Sequence, residues 1–235
     1  MGRHFEVRAA AMAATAKAKS AIYMRASKEI YAAAKSGEPD PNSNLALRSA
    51  IEKYRKQCPK DVIDRAIEKA KGGDAVAYIP GRYEFMGPGG SNIVVDTLTD
   101  NVNRALVSVR TIVTRKGGKM ASVAYNFNLL GVLDFKGPKE EEVEEALVLD
   151  DVDVTSITVD EDGEIEATVA PSDLEKAKEA LKGIGVTDFD RAETTLLPNE
   201  WIEVGDEDKA KLNAMMSELD EAEDVQAVYT NVSNL

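Results

Sequence analysis

Charge along this chain is segregated, and the segregation constrains how many folding units it can form. Cut at Gly72 and again after Gly137, it gives 15 Lys+Arg against 8 Asp+Glu, then 7 against 5, then 7 against 29. The formal charges are +7, +2 and −22, within an overall −13. Shifts of this size over 235 residues favour two or three modest domains over one large one. They also point to an anionic partner for the front end alone. At physiological salt the Debye length is about 8 Å, so a distant acidic tail does not cancel the local attraction of a basic segment for phosphate. Nucleic acid is therefore the first partner expected.

Single-copy residues exclude several chemistries. One cysteine, Cys58, forbids an internal disulfide, and one histidine, His4, leaves no His/Cys cluster of zinc spacing. Cys–His nucleophilic catalysis needs a thiolate, a base and an orienting group together, which these two distant residues do not offer. No run approaches the roughly 18 apolar residues of a membrane span, so a soluble chain is expected. The stretch Ala9 to Ala16 superficially resembles a targeting segment, but it lacks a leucine-rich core and runs on into Lys17 and Lys19, so it reads as mature protein.

Beyond Ser20, apolar residues Ile22, Tyr23, Ala26, Ile30, Ala33 and Ala34 recur with helical spacing up to Gly37. At about 100° per residue, Lys17, Lys28 and Lys35 share one side of a continuous helix, a ridge compatible with either a solvated face or phosphate contact. Arg3, Lys19, Arg25 and Lys60 are further candidates in this basic front end. The turn-rich EPDPNSN stretch from Glu38 to Asn44 feeds a second helix, about Leu45 to Lys56, and Pro59 opens a third that stops at Gly72-Gly73.

From Tyr78 the period becomes that of strands. Tyr78 to Met86 and Ser91 to Leu98 flank Gly87-Pro88-Gly89-Gly90, which reads as a hairpin turn and not as a phosphate loop, because no helix or Lys-Ser/Thr follows it. Asp100 is a candidate cap for an amphipathic helix carrying Val102, Ala105, Leu106, Val109, Ile112 and Val113. Arg104, Ser108, Thr111 and Arg115 align along its other side, with Lys116 and Lys119 just past the end. Cations favour a helix C-terminus in any case, which accounts for Arg115 and Lys116 but less well for Arg104. Arg82 and Arg110, the latter pointing elsewhere, complete the set of candidate nucleic-acid contacts.

Val123 to Phe127 and Leu129 to Phe135 read as two strands, followed by an acidic helix from Pro138. A hairpin across Asp160-Glu161-Asp162-Gly163, a helix with a Ser172/Glu175 capping box and a strand near Asp188 to Leu197 then follow. That order is the split βαβ arrangement. The tail offers Trp201 to Val204 as strand, with Trp201 read as core, then a helix presenting Leu212, Met215, Met216 and Leu219, and a last strand from Val225 to Val232. The expected architecture is α+β and multidomain: a basic three-helix domain over residues 1–76, a middle α/β domain over 77–135 and 200–235, and a ferredoxin-like acidic domain over 136–199 inserted into it.

No catalytic constellation emerges. The carboxylates of the acidic third sit in turns and on a helix such as Glu140 to Glu145, and the loop at Asp160 lacks EF-hand spacing. Neither enzyme activity, metal nor cofactor is expected. No aromatic platform interleaves with the basic stretch, which favours backbone contact over base stacking.

The chain resembles the YebC/PmpR group of bacterial regulators and the related mitochondrial translational activators of cytochrome oxidase. The resemblance rests on Gly2-Arg3, on GEPDPNSNLALRSAIEKYRKQCPKDVIDRAIEKAKGG from Gly37, on GRYEFMGPGGSNIVVDTLTDNVNR from Gly81 and on VRTIVTRKGG from Val109. It departs at His4-Phe5, where the family has Lys-Trp, and at Lys119-Met120-Ala121, where a glycine-rich link is usual. The resemblance implies three domains, the third inserted into the second. It also implies a cytoplasmic, non-enzymatic regulator of transcription that binds DNA, with other members acting in translation on the ribosome. In the first reading the acidic domain stays free or meets a protein; in the alternative, a ribosome-associated translation factor, the cations meet ribosomal RNA and the acidic domain meets basic ribosomal proteins. The family motif starting directly after Met1 leaves the expectation of a bacterial member without a presequence.

Overall fold

The computed structural model describes residues 3–72 and 76–235, with side chains from residue 18 onward. In chain order the elements are α1 (Arg3–Lys35), α2 (Leu45–Tyr54), α3 (Lys60–Lys71), β1 (Ile79–Met86), β2 (Asn92–Thr99), α4 (Val102–Arg115), β3 (Lys119–Met120) and β4 (Phe127–Lys136). There follow α5 (Glu140–Leu149), β5 (Val154–Val159), β6 (Glu164–Val169), α6 (Leu174–Gly183), β7 (Arg191–Pro198), α7 (Asp206–Asp220) and β8 (Val225–Thr230). Among the described residues this is an α+β chain of seven α-helices and two antiparallel sheets. It divides into two compact units, one formed by the described residues up to Asn126 together with Glu200–Leu235, the other by Phe127–Asn199.

In the first unit α1, α2 and α3 meet through the periodic apolar positions: Ala26, Ile30 and Ala34 against Leu47, Ala50, Tyr54, Ile63 and Ala66. Asn44 determines where α2 begins. Its side-chain oxygen accepts the Leu47 N–H at 3.0 Å, while its amide donates to the Ala33 and Glu38 carbonyls at 2.9 Å each. One residue thus caps α2 and ties the preceding loop to α1. The sheet of this unit has the order β3-β1-β2-β8. One face buries Phe85, Ile93 and Val95 against Val109 and Val113 of α4 and Leu212, Met215 and Leu219 of α7. The β1–β2 turn requires glycine at position 89, which has φ +67° and where a Cβ would come within 2.7 Å of the Val204 side chain.

The second unit runs strand, helix, two strands, helix, strand, with sheet order β5-β6-β4-β7. Val143 and Leu147 of α5 and Ala177 and Leu181 of α6 cover Leu133, Phe135, Ile165 and Ala167 on one sheet face.

Several sequence expectations shift. Val123 to Phe135 forms a turn and one strand, β4, instead of two strands, and β4 pairs with β6 on one side and β7 on the other. The boundary read at residue 135 therefore falls one strand late, because it would strip the second sheet of one of its two inner strands. Residues 123 and 124 turn because their backbone N–H groups both donate to the Glu84 carboxylate at 2.7 Å. Trp201 is 58% exposed and not core: its neighbour Ile202 makes the bridge to Val232 and packs inward. Asn101, not Asp100, caps α4. Ser172 and Glu175 form no capping box, since Pro171–Asp173 is a short turn and α6 starts only at Leu174.

Candidate nucleic-acid interface

Two of the candidate cations converge on one acid that the sequence reading passed over, and a third holds the same turn beside it. Asp224 lies between α7 and β8 with its side chain only 6% exposed. Arg104 of α4 grips it through Nε to Oδ2 at 3.0 Å and Nη2 to Oδ1 at 2.9 Å, and Lys28 of α1 adds Nζ to Oδ1 at 3.0 Å. Arg104 also reaches Asp100, one helical turn earlier, at 2.7 Å. Three residues before Lys28, Arg25 donates its Nε to the Val225 carbonyl at 3.1 Å and pairs with Asp220. Burial pushes the Asp224 carboxyl up, but hydrogen bonds from Arg104 and Lys28 outweigh it and hold the group below the ordinary carboxylate range. Those to Asp224 and then Asp100 raise the Arg104 guanidinium still further above its usual value.

Magnitude separates this hub from the other pairs. Removing one partner of a buried ion pair costs about 3–5 kcal/mol, whereas an exposed pair contributes about 0–1 kcal/mol. Lys28 and Arg25 keep only 11% and 18% of their side chains exposed, so both are committed to holding α1 against the α7–β8 turn. Arg104 is committed by its two-pronged hold on a buried acid. Arg115 and Lys116 both pair with Glu218 of α7, yet Arg115 is 61% exposed, and such a surface pair can be exchanged for phosphate. Arg82 pairs with Asp96 across β1 and β2, at 2.7 and 2.8 Å, and Lys35 donates to the Gly72 carbonyl at 3.0 Å.

The face expected from Arg104, Ser108, Thr111 and Arg115 is therefore divided, its first cation structural and its last exchangeable. Lys19, Lys60, Arg110 and Lys119 are exposed and have no side-chain partner among the described residues. Lys60 opens α3, where a cation opposes the helix dipole, so helix stability does not explain it. Arg110 stands on the solvent side of α4 beside exposed Val107 and Thr111. Arg3 and Lys17, and with them part of the expected ridge, lie outside the described side chains. Asp224 went unread because local sequence does not distinguish it from the solvated acids around it; only the long-range partners at positions 28 and 104 do.

No described helix is long and apolar enough to cross a membrane. Residues 3–73 match the TACO1/YebC protein N-terminal domain, and residues 78–232 match the TACO1/YebC second and third domain. Over 237 residues the chain is 47% identical to the probable transcriptional regulatory protein Mfl546 of Mesoplasma florum, covering 99% of this chain and 100% of the relative. It is 43% identical to the probable transcriptional regulatory protein YeeN of Escherichia coli K12, with both chains covered completely. Among solved structures it is similar to a conserved hypothetical protein of Aquifex aeolicus, Aq1575, with TM-score 0.76, 28% identity and coverage of 91% and 90% of the two chains.

Proposed function

The chain belongs to the TACO1/YebC family, and from that premise we propose that it is a non-enzymatic regulator of gene expression that contacts nucleic-acid phosphates. The observation that carries the reading is the family match over both parts of the chain, with relatives named as probable transcriptional regulators. The contacts are made by cations that the fold leaves unneutralised or only weakly paired: Lys19, Lys60, Arg110, Lys119 and Arg115. Arg25, Lys28 and Arg104 serve the architecture that presents them. In this proposal the molecule has three domains: a basic helical domain, a sheet domain divided by an insertion, and the acidic inserted domain, now taken from residue 127 to 199. Its site of action is the cytoplasm.

Titration of the full chain against duplex DNA and against structured ribosomal RNA over a range of salt concentrations tests this. For duplex DNA log affinity should fall with log salt at a slope of about −0.9 per phosphate neutralised. A flat slope for both polymers overturns the proposal. Preference for RNA at equal salt selects a translational over a transcriptional role, a reading favoured by the strongly acidic second unit, which suits basic ribosomal proteins and repels nucleic acid.

A further inference from the structure

The solvent face of α5 carries an apolar pair that folding does not use. Val148 and Leu149 are 60% and 76% exposed, while Val143 and Leu147 of the same helix supply its core contacts. At about 100° per residue, Glu141, Glu145, Val148 and Leu149 fall opposite that core face. Glu140, Glu141, Glu144, Glu145 and Asp150 are exposed, with no side-chain partner among the described residues. Acids in the first turn complement the helix dipole. Glu144, Glu145 and Asp150 have no such explanation, and the last turn of α5, where the dipole favours cations, has none.

The same chain shows what occupies an acidic helix end when it is paired. The end of α7 and the turn after it, Asp220 to Asp224, receive Arg25 and Lys28, two cations three residues apart on one helix. At the corresponding end of α5 the one cation, Lys176, reaches the Asp151 carbonyl at 2.6 Å, and Glu144, Glu145 and Asp150 keep no side-chain partner among the described residues. Charge restricts the occupant further. Residues 127–199 contain 6 Lys+Arg against 20 Asp+Glu, which repels nucleic acid and disfavours pairing of this unit with its own copy.

We propose that the exposed face of α5 docks a lysine- and arginine-rich protein segment, its cations on Glu144 and Glu145 and an apolar side chain over Val148 and Leu149, each one turn further along the helix. Charge sets encounter and orientation, and the apolar anchor holds the complex.

The test uses the full chain and two labelled synthetic helical peptides of equal positive charge, one with leucines along one side and one with serines in their place. The leucine peptide should bind at least about tenfold more tightly, the effect of roughly one buried apolar side chain. Leu149→Ser, and independently Val148→Ser, should reduce that preference several-fold and leave the serine peptide unaffected, with circular dichroism unchanged. Glu144→Gln/Glu145→Gln should weaken both peptides and flatten their salt dependence. Equal binding of the two peptides, or a preference that survives both serine variants, overturns the proposal. So does self-association in sedimentation velocity that Leu149→Ser abolishes, because the occupant is then a second copy.

Discussion

Two acids, both partly or wholly withdrawn from solvent, have opposite consequences. Asp224 is compensated by Arg104 and Lys28, whereas Asp134 of β4 has Oδ1 buried without a partner and its nearest cation, Arg191, at 3.9 Å. Burial, with Glu166, Glu164 and Glu193 on the neighbouring strands, pushes the Asp134 carboxyl up to about 6, against the opposing pull of Arg191. A raised carboxyl binds its proton more tightly in the folded state. Its contribution is therefore greatest below the unfolded value near 3.8 and is lost as pH rises through 6. Asp134→Asn should raise Tm at pH 7 by about 2–4 °C, the equivalent of roughly 1 kcal/mol, with little gain at pH 4. Equal gains at both pH values, measured by thermal unfolding, would remove titration as the cause. Asp224 has the opposite sign: its folded value lies below the unfolded one, so its stabilisation is present above pH 4 and lost on acidification. Asp224→Asn removes the charge facing Lys28 and one of the two acids that hold Arg104, and should destabilise the protein at pH 7 clearly more than Glu218→Gln does. Equal losses in denaturant titrations of the two variants would refute the ranking of buried hub over surface pair.

Elements were legible where local chemistry decides them. The 3.6-residue period located the helices of the basic front end, and the Asp-Gly turn between β5 and β6 forms as its residues demand, with Asp160 Oδ1 accepting N–H groups of Asp162 and Glu164 at 2.9 and 2.8 Å. What escaped was set by distant partners. Glu84, some forty residues upstream, turns the chain before β4, and the bridge from Ile202 to Val232 sends Trp201 outward. The site divides in the same way: residue type and helical spacing found the cations, but which are spent on Asp220 and Asp224 depends on contacts nearly two hundred positions away. The end of α5 supplies an element-scale prediction. Asp151 has φ +52°, the left-handed conformation that closes a helix, and the Val152 N–H returns to the Leu147 carbonyl at 3.0 Å. The Lys176 ammonium bonds the Asp151 carbonyl and not its carboxylate, so nothing in the side chain is needed. Asp151→Gly should stabilise by about 0.5–1 kcal/mol, whereas Asp151→Val, branched at Cβ, should destabilise. A loss of stability in the glycine variant would show that the carboxylate itself matters.

At the scale of the whole molecule, an overall −13 conceals a division of labour among positive charges. Some are consumed in joining α1 and α4 to the acidic turn after α7, and some face solvent. The distinction is measurable because the two classes enter a binding experiment differently. A cation that meets phosphate releases a counterion, so its removal lowers the salt slope by about 0.9 on duplex DNA, whatever the sequence. A cation held by Asp224 releases none. Lys60→Ala, Arg110→Ala and Lys119→Ala should each reduce the slope by about that amount and leave Tm nearly unchanged, and the reductions should add because these side chains lie on separate elements. Arg104→Ala should instead lower Tm and, while the protein stays folded, leave the slope intact. Arg115→Ala falls between them, moving the slope with little change in stability, since its partner Glu218 is shared with Lys116. If Arg104→Ala flattens the salt dependence at constant Tm, the hub itself exchanges Asp224 for phosphate, and the assignment of this arginine to architecture fails.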